Sequence, residues 1–264
     1  MLDGKIAFIV GGGQAPGGAV GMGRAAALTF ARAGARVFVG DRSREAAAET
    51  VEAITAEGGD AFAVVIDVLS EDSIIAAIES IDAAVGRLDV LHNNVGAGVS
   101  LGDAALESIT LEAFDLITSV NLRGMILTCK HAIPLMARGG GGSITSVGST
   151  ATMTNYDQIG YKTSKAGVEA TSKHIAWMHA KQGIRSNVVI PGLTDTPMSI
   201  DTRARASGRP REELVAERSS KVPLGRIGTA WDAANIALFF ASDLASFVTG
   251  QSLVVDGGWT LQVG

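Results

Sequence analysis

Tyr161 and Lys165 stand four positions apart, and Ser149 precedes them at the end of an apolar, glycine-flanked stretch. If the stretch around Tyr161 is a helix, residues four apart share one face, so the lysine ammonium can lie close to the phenol. A nearby cation stabilises a phenolate and lowers a pKa that is ordinarily about 10, which favours proton exchange near neutral pH. A serine hydroxyl from a neighbouring strand could hold a substrate oxygen. The same spacing is also typical of an ordinary helix surface, so its meaning depends on the surrounding elements.

A glycine-rich stretch lies between the first two apolar runs. Residues 6–10 form a short run of branched residues, glycines crowd residues 11–23, and a helical pattern follows over 25–34. A second apolar run, 35–40, ends at Asp41. This order of elements is typical of a dinucleotide-binding unit, because glycine lets backbone N–H groups approach a pyrophosphate and the acid accepts hydrogen bonds from ribose hydroxyls.

The rest of the chain alternates strand-like and helix-like stretches. Further apolar runs predict strands at 61–66, 88–91, 144–147, 184–190 and 252–255. Apolar residues recur at helical spacing between them, and one long helix is predicted from Thr110 past Asn121 and Cys129 toward Pro134. Such alternation predicts an α/β fold with a parallel sheet, whose ligands collect at the carboxyl ends of the strands.

Composition argues against several classes of protein. The 264 residues carry a formal net charge of −5, so the basic footprint of a nucleic-acid-binding protein is missing. Cys129 is the single cysteine, which excludes an intramolecular disulfide and favours a small buried residue in a protein of the reducing cytoplasm. No metal-ligand spacing is found in the sequence. Neither a signal peptide nor a membrane-length apolar run is expected.

The stretch from 194 to 224 contains no clear strand. A connection of this length is typical of a functional lid or a mobile segment. Four arginines lie within it, at Arg203, Arg205, Arg209 and Arg211. They could bind an anionic substrate, although a solvated polar face is the favoured interpretation.

Several short motifs follow one another in a fixed order. They are the glycine turn over 11–23, Asp67-Val68, Asn93-Asn94-Val95-Gly96, Asn121, Ser149, Tyr161 with Lys165, Pro191-Gly192 with Thr196, and Asp256-Gly257-Gly258. In order and spacing they resemble the short-chain dehydrogenase/reductase family over nearly the whole chain. Residues 14–20 lengthen the first turn beyond the family pattern. The resemblance implies one domain over 1–264, built on a Rossmann-type, doubly wound, seven-stranded parallel sheet with helices on both faces, and a substrate lid at about 194–224.

The resemblance also implies a role for each catalytic residue. Tyr161 would be the general acid/base, while Lys165 would lower its pKa and hold the nicotinamide ribose. Ser149 would fix the substrate oxygen, with Ser146 as the fallback, and Asn121 would anchor a water relay to Lys165. The expected substrate-binding residues are Ser149, Tyr156, Leu193 and Met198.

A nicotinamide cofactor would lie across the strand ends. The residues expected to bind it are Gly12, Gly21, Met22, Gly23, Asp41, Arg42, Asp67, Val68, Asn93, Asn94, Gly96, Tyr161, Lys165, Pro191, Gly192, Thr194 and Thr196. Asp41 would repel a 2′-phosphate and therefore favours NAD, while Arg42 and Arg24 soften this preference and leave NADP open.

The expected activity is NAD(P)-dependent interconversion of a secondary alcohol and a ketone, acting on a medium-sized, partly apolar small molecule. One alternative is a reductase of oxoacyl thioesters, in which Arg123 or the arginines of 203–211 would face an acidic carrier protein. Another is a non-catalytic nicotinamide-binding sensor or scaffold. The complete Asn/Ser/Tyr/Lys set argues against the sensor. The family further implies a homo-oligomer, commonly a tetramer.

Overall fold

The computed structural model describes residues 1–261. Its strands are β1 (Ile6–Val10), β2 (Arg36–Asp41), β3 (Asp60–Val65), β4 (Val90–Asn93), β5 (Gly142–Val147), β6 (Ile184–Pro191), β7 (Thr194–Asp195), β8 (Gly228–Thr229) and β9 (Ser252–Val255). Seven of them form a parallel sheet in the order β3-β2-β1-β4-β5-β6-β9, and β7 pairs with β8 separately. The predicted seven-stranded, Rossmann-type parallel sheet is confirmed.

Helices cover both faces of this sheet. They are α1 (Met22–Arg32), α2 (Arg44–Ala56), α3 (Glu71–Val85), α4 (Leu111–Thr118), α5 (Gly124–Arg138), α6 (Ile159–Met178), α7 (Thr202–Ser207), α8 (Arg211–Ser219) and α9 (Ala230–Ala241). Buried residues of α1, α2 and α9 form one core, and those of α3, α5 and α6 form the other. None of the helices within residues 1–261 is both long and apolar enough to cross a membrane.

The two cores follow from the alternation of side chains along the strands. In β1, Ile6, Phe8 and Val10 belong to one core, whereas Ala7 and Ile9 belong to the other. Successive side chains of a strand point to opposite faces, so a strand covered on both faces has a continuous apolar sequence. This is why the short apolar runs of the sequence located the strands.

Two predicted elements differ from the structure. The apolar run at 61–66 is typical of a strand buried on both faces, but β3 is an edge strand whose Phe62 and Val65 are 47% and 40% exposed. An apolar run does not reveal whether its strand lies at an edge. The long helix predicted from Thr110 is divided into α4 and α5 by a π-helical turn at Ser119–Arg123, and α5 continues through Pro134.

The 194–224 segment folds largely as helix and has a small core of its own. Ile200, Val222 and Ile227 are buried together, with Leu193 and Trp259 packed against them. The segment therefore rests on residues that follow β6 and β9, at the carboxyl edge of the sheet. This position allows it to cover whatever binds at that edge.

The first turn depends on a close backbone contact. Gly11 has a φ of +81°, a conformation that favours glycine, and its N–H donates to the Gly40 carbonyl oxygen at 2.8 Å. Helix α1 then passes so near that a Cβ on Gly23 would lie 1.9 Å from the Gly11 carbonyl oxygen. Gly23 is therefore required by packing in the folded protein.

We expect Gly23→Ala to destabilise the protein and Gly21→Ala to change its stability little. Relieving the clash at Gly23 requires a backbone shift that costs on the order of 1–3 kcal/mol. Gly21 is the matched control, since its φ is −72° and a Cβ there would have its nearest neighbours at 4.0 Å. Urea unfolding of both variants measures the difference. Equal stability of the two variants would contradict the close contact.

Candidate active site

Loops at the carboxyl edge of the sheet and the 194–224 segment enclose an open cleft of about 1020 Å³. The four expected substrate-binding residues, Ser149, Tyr156, Leu193 and Met198, all line this cleft, and so does Tyr161. The cleft therefore brings together residues from two stretches of the chain, 149–161 and 193–198, that are distant in sequence.

Ser149 and Tyr161 meet on one wall of the cleft. Tyr161 lies in the first turn of α6, and Ser149 follows β5. The Ser149 hydroxyl is within hydrogen-bonding reach of the Tyr161 hydroxyl, and it accepts a hydrogen bond from the Ala151 N–H at 3.2 Å. Ser146, the fallback, is fully buried within β5 and does not line the cleft. Ser149 is therefore the serine that can reach a substrate oxygen.

Lys165 lies one turn beyond Tyr161 and is almost completely buried, with 3% of its surface exposed. Its Nζ donates to the Val147 carbonyl oxygen at 2.8 Å and lies 5.7 Å from the centre of the Tyr161 ring. Because burial disfavours the charged form, the pKa of Lys165 falls to about 8. The amine therefore changes its charge near pH 8, and it lies beneath the Tyr161 ring.

The pKa of Tyr161 moves in the direction opposite to the prediction. Burial raises it to about 12, and the hydrogen bond with Ser149 offsets only part of that rise. The expected lowering by Lys165 is wrong for this geometry, because the Lys165 Nζ is turned toward Val147 and desolvation of the phenolate dominates. In this structure the phenol is consequently protonated at neutral pH.

Asn121 lies in the π-helical turn between α4 and α5, where it is 1% exposed. Its Oδ1 accepts from the Ala97 N–H at 2.8 Å, and its Nδ2 donates to the Ala97 carbonyl oxygen at 2.8 Å and to Ser164 Oγ at 3.0 Å. Single-turn π-helices are frequent at functional sites because they redirect one side chain. Here Asn121 ties the β4 loop to α6, the helix that carries Tyr161.

Asp103 is a positioning residue that the sequence did not reveal. Its two carboxylate oxygens accept hydrogen bonds from the backbone N–H groups of Gly160 and Tyr161 at 2.9 and 2.8 Å. These bonds satisfy two otherwise unpaired donors at the start of α6. The cap comes from a residue far upstream in the chain, so no local capping pattern could have identified it.

The edge of the sheet also contains a cradle suited to a dinucleotide. Asp41 Oδ2 accepts from the Gly13 N–H at 3.1 Å, which fixes the acid beside the glycine turn. The N-cap of α1, Gly21, offers no side-chain hydrogen bond, so the first N–H groups of the helix keep their capacity for an anion. A Cβ on Gly96 would lie 3.0 Å from Lys165 Nζ, which shows that glycine leaves the space above the amine open. These features fit a nicotinamide dinucleotide.

The other expected cofactor residues occupy different environments. Met22, Pro191, Gly192, Thr194 and Thr196 line the cleft. Asp67 and Arg42 are exposed beyond the strand ends, whereas Val68 is buried and packs against Gly124.

The two asparagines after β4 point in different directions. Asn93 faces the interior, where its Nδ2 donates to Cys129 Sγ at 3.4 Å. Its side chain is therefore in the interior, where it lines a small space that Asn121 and Lys165 also line. Asn94 Nδ2 donates to the Gly11 carbonyl oxygen at 3.0 Å, and its buried Oδ1 has no partner within residues 1–261. Cys129 is buried in α5, as expected, and burial raises its pKa to about 12, which makes the thiol inert.

The arginines of the 194–224 segment do not behave as one cluster. Arg205 is exposed, and Arg209 forms an ion pair with Glu217 at 2.8 Å. Arg211 forms ion pairs with Asp195 and Asp201. The interpretation as a polar face holds for these three residues, but Arg203 lines the cleft.

We expect Lys165→Met to stabilise the protein at pH 7 while it removes activity. The folded-state pKa of about 8 lies below the ordinary lysine value of 10.5, so the charged amine opposes folding fully below pH 8. That penalty disappears as pH rises from 8 to 10.5. Allowing for the lost bond to Val147, the expected gain is about 1–3 kcal/mol at pH 7. Urea unfolding at pH 7 and pH 10 measures it, and a variant less stable than the natural protein at pH 7 would contradict the buried-charge penalty.

Comparisons with known proteins agree with this arrangement. Residues 17–260 match the family model described as Enoyl-(Acyl carrier protein) reductase. The chain is 34% identical to a 2,5-dichloro-2,5-cyclohexadiene-1,4-diol dehydrogenase of Sphingobium indicum, over 99% of this chain and 98% of that protein. It is 36% identical to a 3-oxoacyl-[acyl-carrier-protein] reductase of Thermotoga maritima, over 97% of this chain and 98% of that protein.

A solved structure shares the whole fold. The crystal structure of a putative short-chain dehydrogenase/reductase from Burkholderia xenovorans superposes with a TM-score of 0.90 at 35% identity, and the match covers 100% of this chain and 99% of that chain. Its sheet and this one therefore share the same architecture across all layers. With the family model, the relatives and the Ser149, Tyr161 and Lys165 geometry in agreement, the chain belongs to the short-chain dehydrogenase/reductase family.

Proposed function

We propose that this oxidoreductase interconverts a secondary alcohol and a ketone, with Tyr161 as the proton-transfer residue. The observation that carries the proposal is the meeting of the Ser149 and Tyr161 hydroxyls on the wall of a cleft, with the Lys165 amine buried behind them. A hydroxyl pair at this position can hold a substrate oxygen and exchange its proton.

A bound nicotinamide dinucleotide supplies the hydride for reduction or accepts it for oxidation. In the oxidative direction, Ser149 donates a hydrogen bond to the substrate oxygen. The Tyr161 phenolate takes the hydroxyl proton as the carbinol carbon loses hydride, so one proton and one hydride leave the alcohol and a C=O bond forms. Reduction reverses each transfer. Lys165 holds α6 against the end of β5 through its bond to the Val147 carbonyl oxygen, and Asn121 holds the β4 loop against α6.

The cofactor preference proposed for this site is NAD(H). Asp41 is fixed by hydrogen bonds from the Gly13 and Ser43 N–H groups, so its negative charge stays beside the cradle and repels a 2′-phosphate. Arg24, one of the two cations that could offset this repulsion, is paired with Glu49. Of these two cations, only Arg42 is left to weaken the preference for NAD(H).

The two alternative functions receive less support. A carrier-bound thioester would need a basic docking face, but Arg209 and Arg211 are neutralised by neighbouring acids. A sensor would have no use for a buried amine under a paired phenol and serine. The alcohol and ketone chemistry accounts for all three side chains.

Replacing Tyr161 with Phe is expected to reduce turnover by at least about 100-fold, because general acid–base catalysis contributes on this scale. The measurement is reduced-nicotinamide absorbance with a panel of secondary alcohols and ketones. Calorimetric NADH binding is the control, and it should change little because the ring remains. A variant that retains most of the rate would overturn the role of Tyr161.

The pH profile adds a second readout for the same role. With a pKa raised to about 12, Tyr161 is the proton acceptor only in its minor deprotonated form, so kcat/KM for oxidation should rise with pH through the alkaline range. Ketone reduction uses the protonated phenol and should not show this rise. Parallel profiles in the two directions would contradict the proposal.

We expect initial rates to favour NAD over NADP, and Asp41→Asn to reduce that preference by about tenfold or more. The substitution keeps the size of the side chain and removes the charge that repels a 2′-phosphate. Arg42→Gln is the opposing control, because removal of that cation should strengthen the preference for NAD. A natural protein that prefers NADP would overturn the assignment.

A further inference from the structure

Two arginines face the cleft without a carboxylate partner. Arg203 on α7 and Arg218 on α8 both line it, and neither forms an ion pair with any acid in residues 1–261. Both are bound to the same serine, since Arg203 Nη1 donates to the Ser199 carbonyl oxygen at 2.9 Å and Arg218 Nη1 donates to Ser199 Oγ at 2.8 Å. Ser199 therefore holds the two guanidinium groups as neighbours.

The same segment pairs two of its other arginines with acids. Arg209 is paired with Glu217, and Arg211 with Asp195 and Asp201. These acids thus form ion pairs with Arg209 and Arg211, and none with the two cleft arginines. Arg205 also lacks an ion pair among the described residues, but it is exposed and does not line the cleft, whereas Arg203 and Arg218 do.

The guanidinium groups of Arg203 and Arg218 therefore repel each other in a partly buried space. Burial, followed by repulsion from Arg203, lowers the pKa of Arg218 to about 10. A guanidinium has five N–H donors, and the bonds to Ser199 use one from each arginine. Arg203 also lies close to the Tyr156 hydroxyl. An anion placed between the two groups would remove their repulsion and accept their spare donors.

The arginines lie near the reacting groups but do not touch them. The Tyr156 ring, whose hydroxyl lies close to Arg203, is 5.8 Å from the Tyr161 ring, centre to centre. A substrate anion bound by the two arginines would therefore lie about the width of one aromatic ring from the substrate carbon that reacts beside Tyr161. This distance suits a substrate with its anionic group several bonds from its hydroxyl.

We propose that Arg203 and Arg218 bind a substrate carboxylate, so that the enzyme acts on hydroxy acids and oxo acids. This inference rests on the proposed function and names the substrate class of the same cleft. A carrier-bound thioester is disfavoured, because α8 presents the exposed acids Glu212 and Glu213 and would repel an acidic carrier protein. The bound carboxylate orients the substrate and leaves the proton and hydride transfers unchanged.

The kinetic test compares each acid with its methyl ester. The probes are 3-hydroxybutyrate, 4-hydroxypentanoate and 5-hydroxyhexanoate, which present the same methyl carbinol at increasing distance from the carboxylate. The natural protein should prefer at least one acid over its ester by about tenfold or more in kcat/KM. Arg203→Met and Arg218→Met should each lower kcat/KM for that acid by about 10- to 100-fold, mainly through KM, and change the ester by less than about threefold.

Matched variants separate charge recognition from folding. Arg205→Met is the control, since Arg205 is an exposed arginine of α7 that does not line the cleft. It should retain the preference for the acid. Arg218→Lys keeps a positive charge and should recover part of the loss seen in Arg218→Met. If both methionine variants keep the full acid preference, or if a neutral 3-oxobutyryl thioester outperforms every acid, the proposal is overturned.

A binding measurement tests the inference without turnover. Calorimetry with NADH-saturated protein compares hexanoate with hexanamide, which has the same chain but no charge. Hexanoate should bind more tightly, and Arg218→Met should weaken it by about tenfold or more. Equal binding of the two ligands overturns the arginine site even if alcohols are oxidised. Preferential hexanoate binding without turnover of any alcohol or ketone would instead retain the site and reject the proposed reaction.

Discussion

The buried amine of Lys165 is the constraint on which the site depends. A charged amine is stable inside a protein only if it finds a polar partner, and here the Val147 carbonyl oxygen at the end of β5 supplies it at 2.8 Å. That bond fixes α6 against the end of the sheet. Since Tyr161 precedes Lys165 by one turn, the same bond determines how far the phenol stands above the strand ends and thus where it meets Ser149.

Several contacts maintain this position of α6. Asp103 caps the first turn of the helix, and Asn121 joins Ser164 to the β4 loop. The loop can pass so near because it has glycine where it meets the helix: a Cβ on Gly98 would lie 3.2 Å from the Tyr161 ring. A side chain at that position would press on the phenol. The geometry of the proton-transfer group therefore depends on backbone contacts from a loop that carries no catalytic side chain.

The sequence was sufficient to predict the features that depend on a local pattern of residues. Apolar runs located the strands, and the spacing of Tyr161 and Lys165 placed both on one helix. It could not reveal Asp103, whose cap joins distant parts of the chain, or Arg218, whose role follows from the fold of the 194–224 segment. It also predicted a lowered pKa for Tyr161, whereas burial raises it. The orientation of the Lys165 side chain and the burial of the phenol are set by tertiary packing, which the sequence does not show. The direction of the Asn93 side chain likewise follows from the fold, since the alternation along β4 points it to Cys129.

The lengthened first turn gains a structural meaning from the same reasoning. The Gly18 N–H donates to Asp201 Oδ2 at 2.9 Å, while Asp201 Oδ1 accepts from Arg211 Nε at 2.9 Å. A Cβ on Gly17 would lie 2.0 Å from the Asp201 carboxylate, so glycine permits the contact. Asp201 thus connects the 14–20 insertion to the helices that carry Arg203 and Arg218. Asp201 forms its ion pair with Arg211 and none with either of the two cleft arginines.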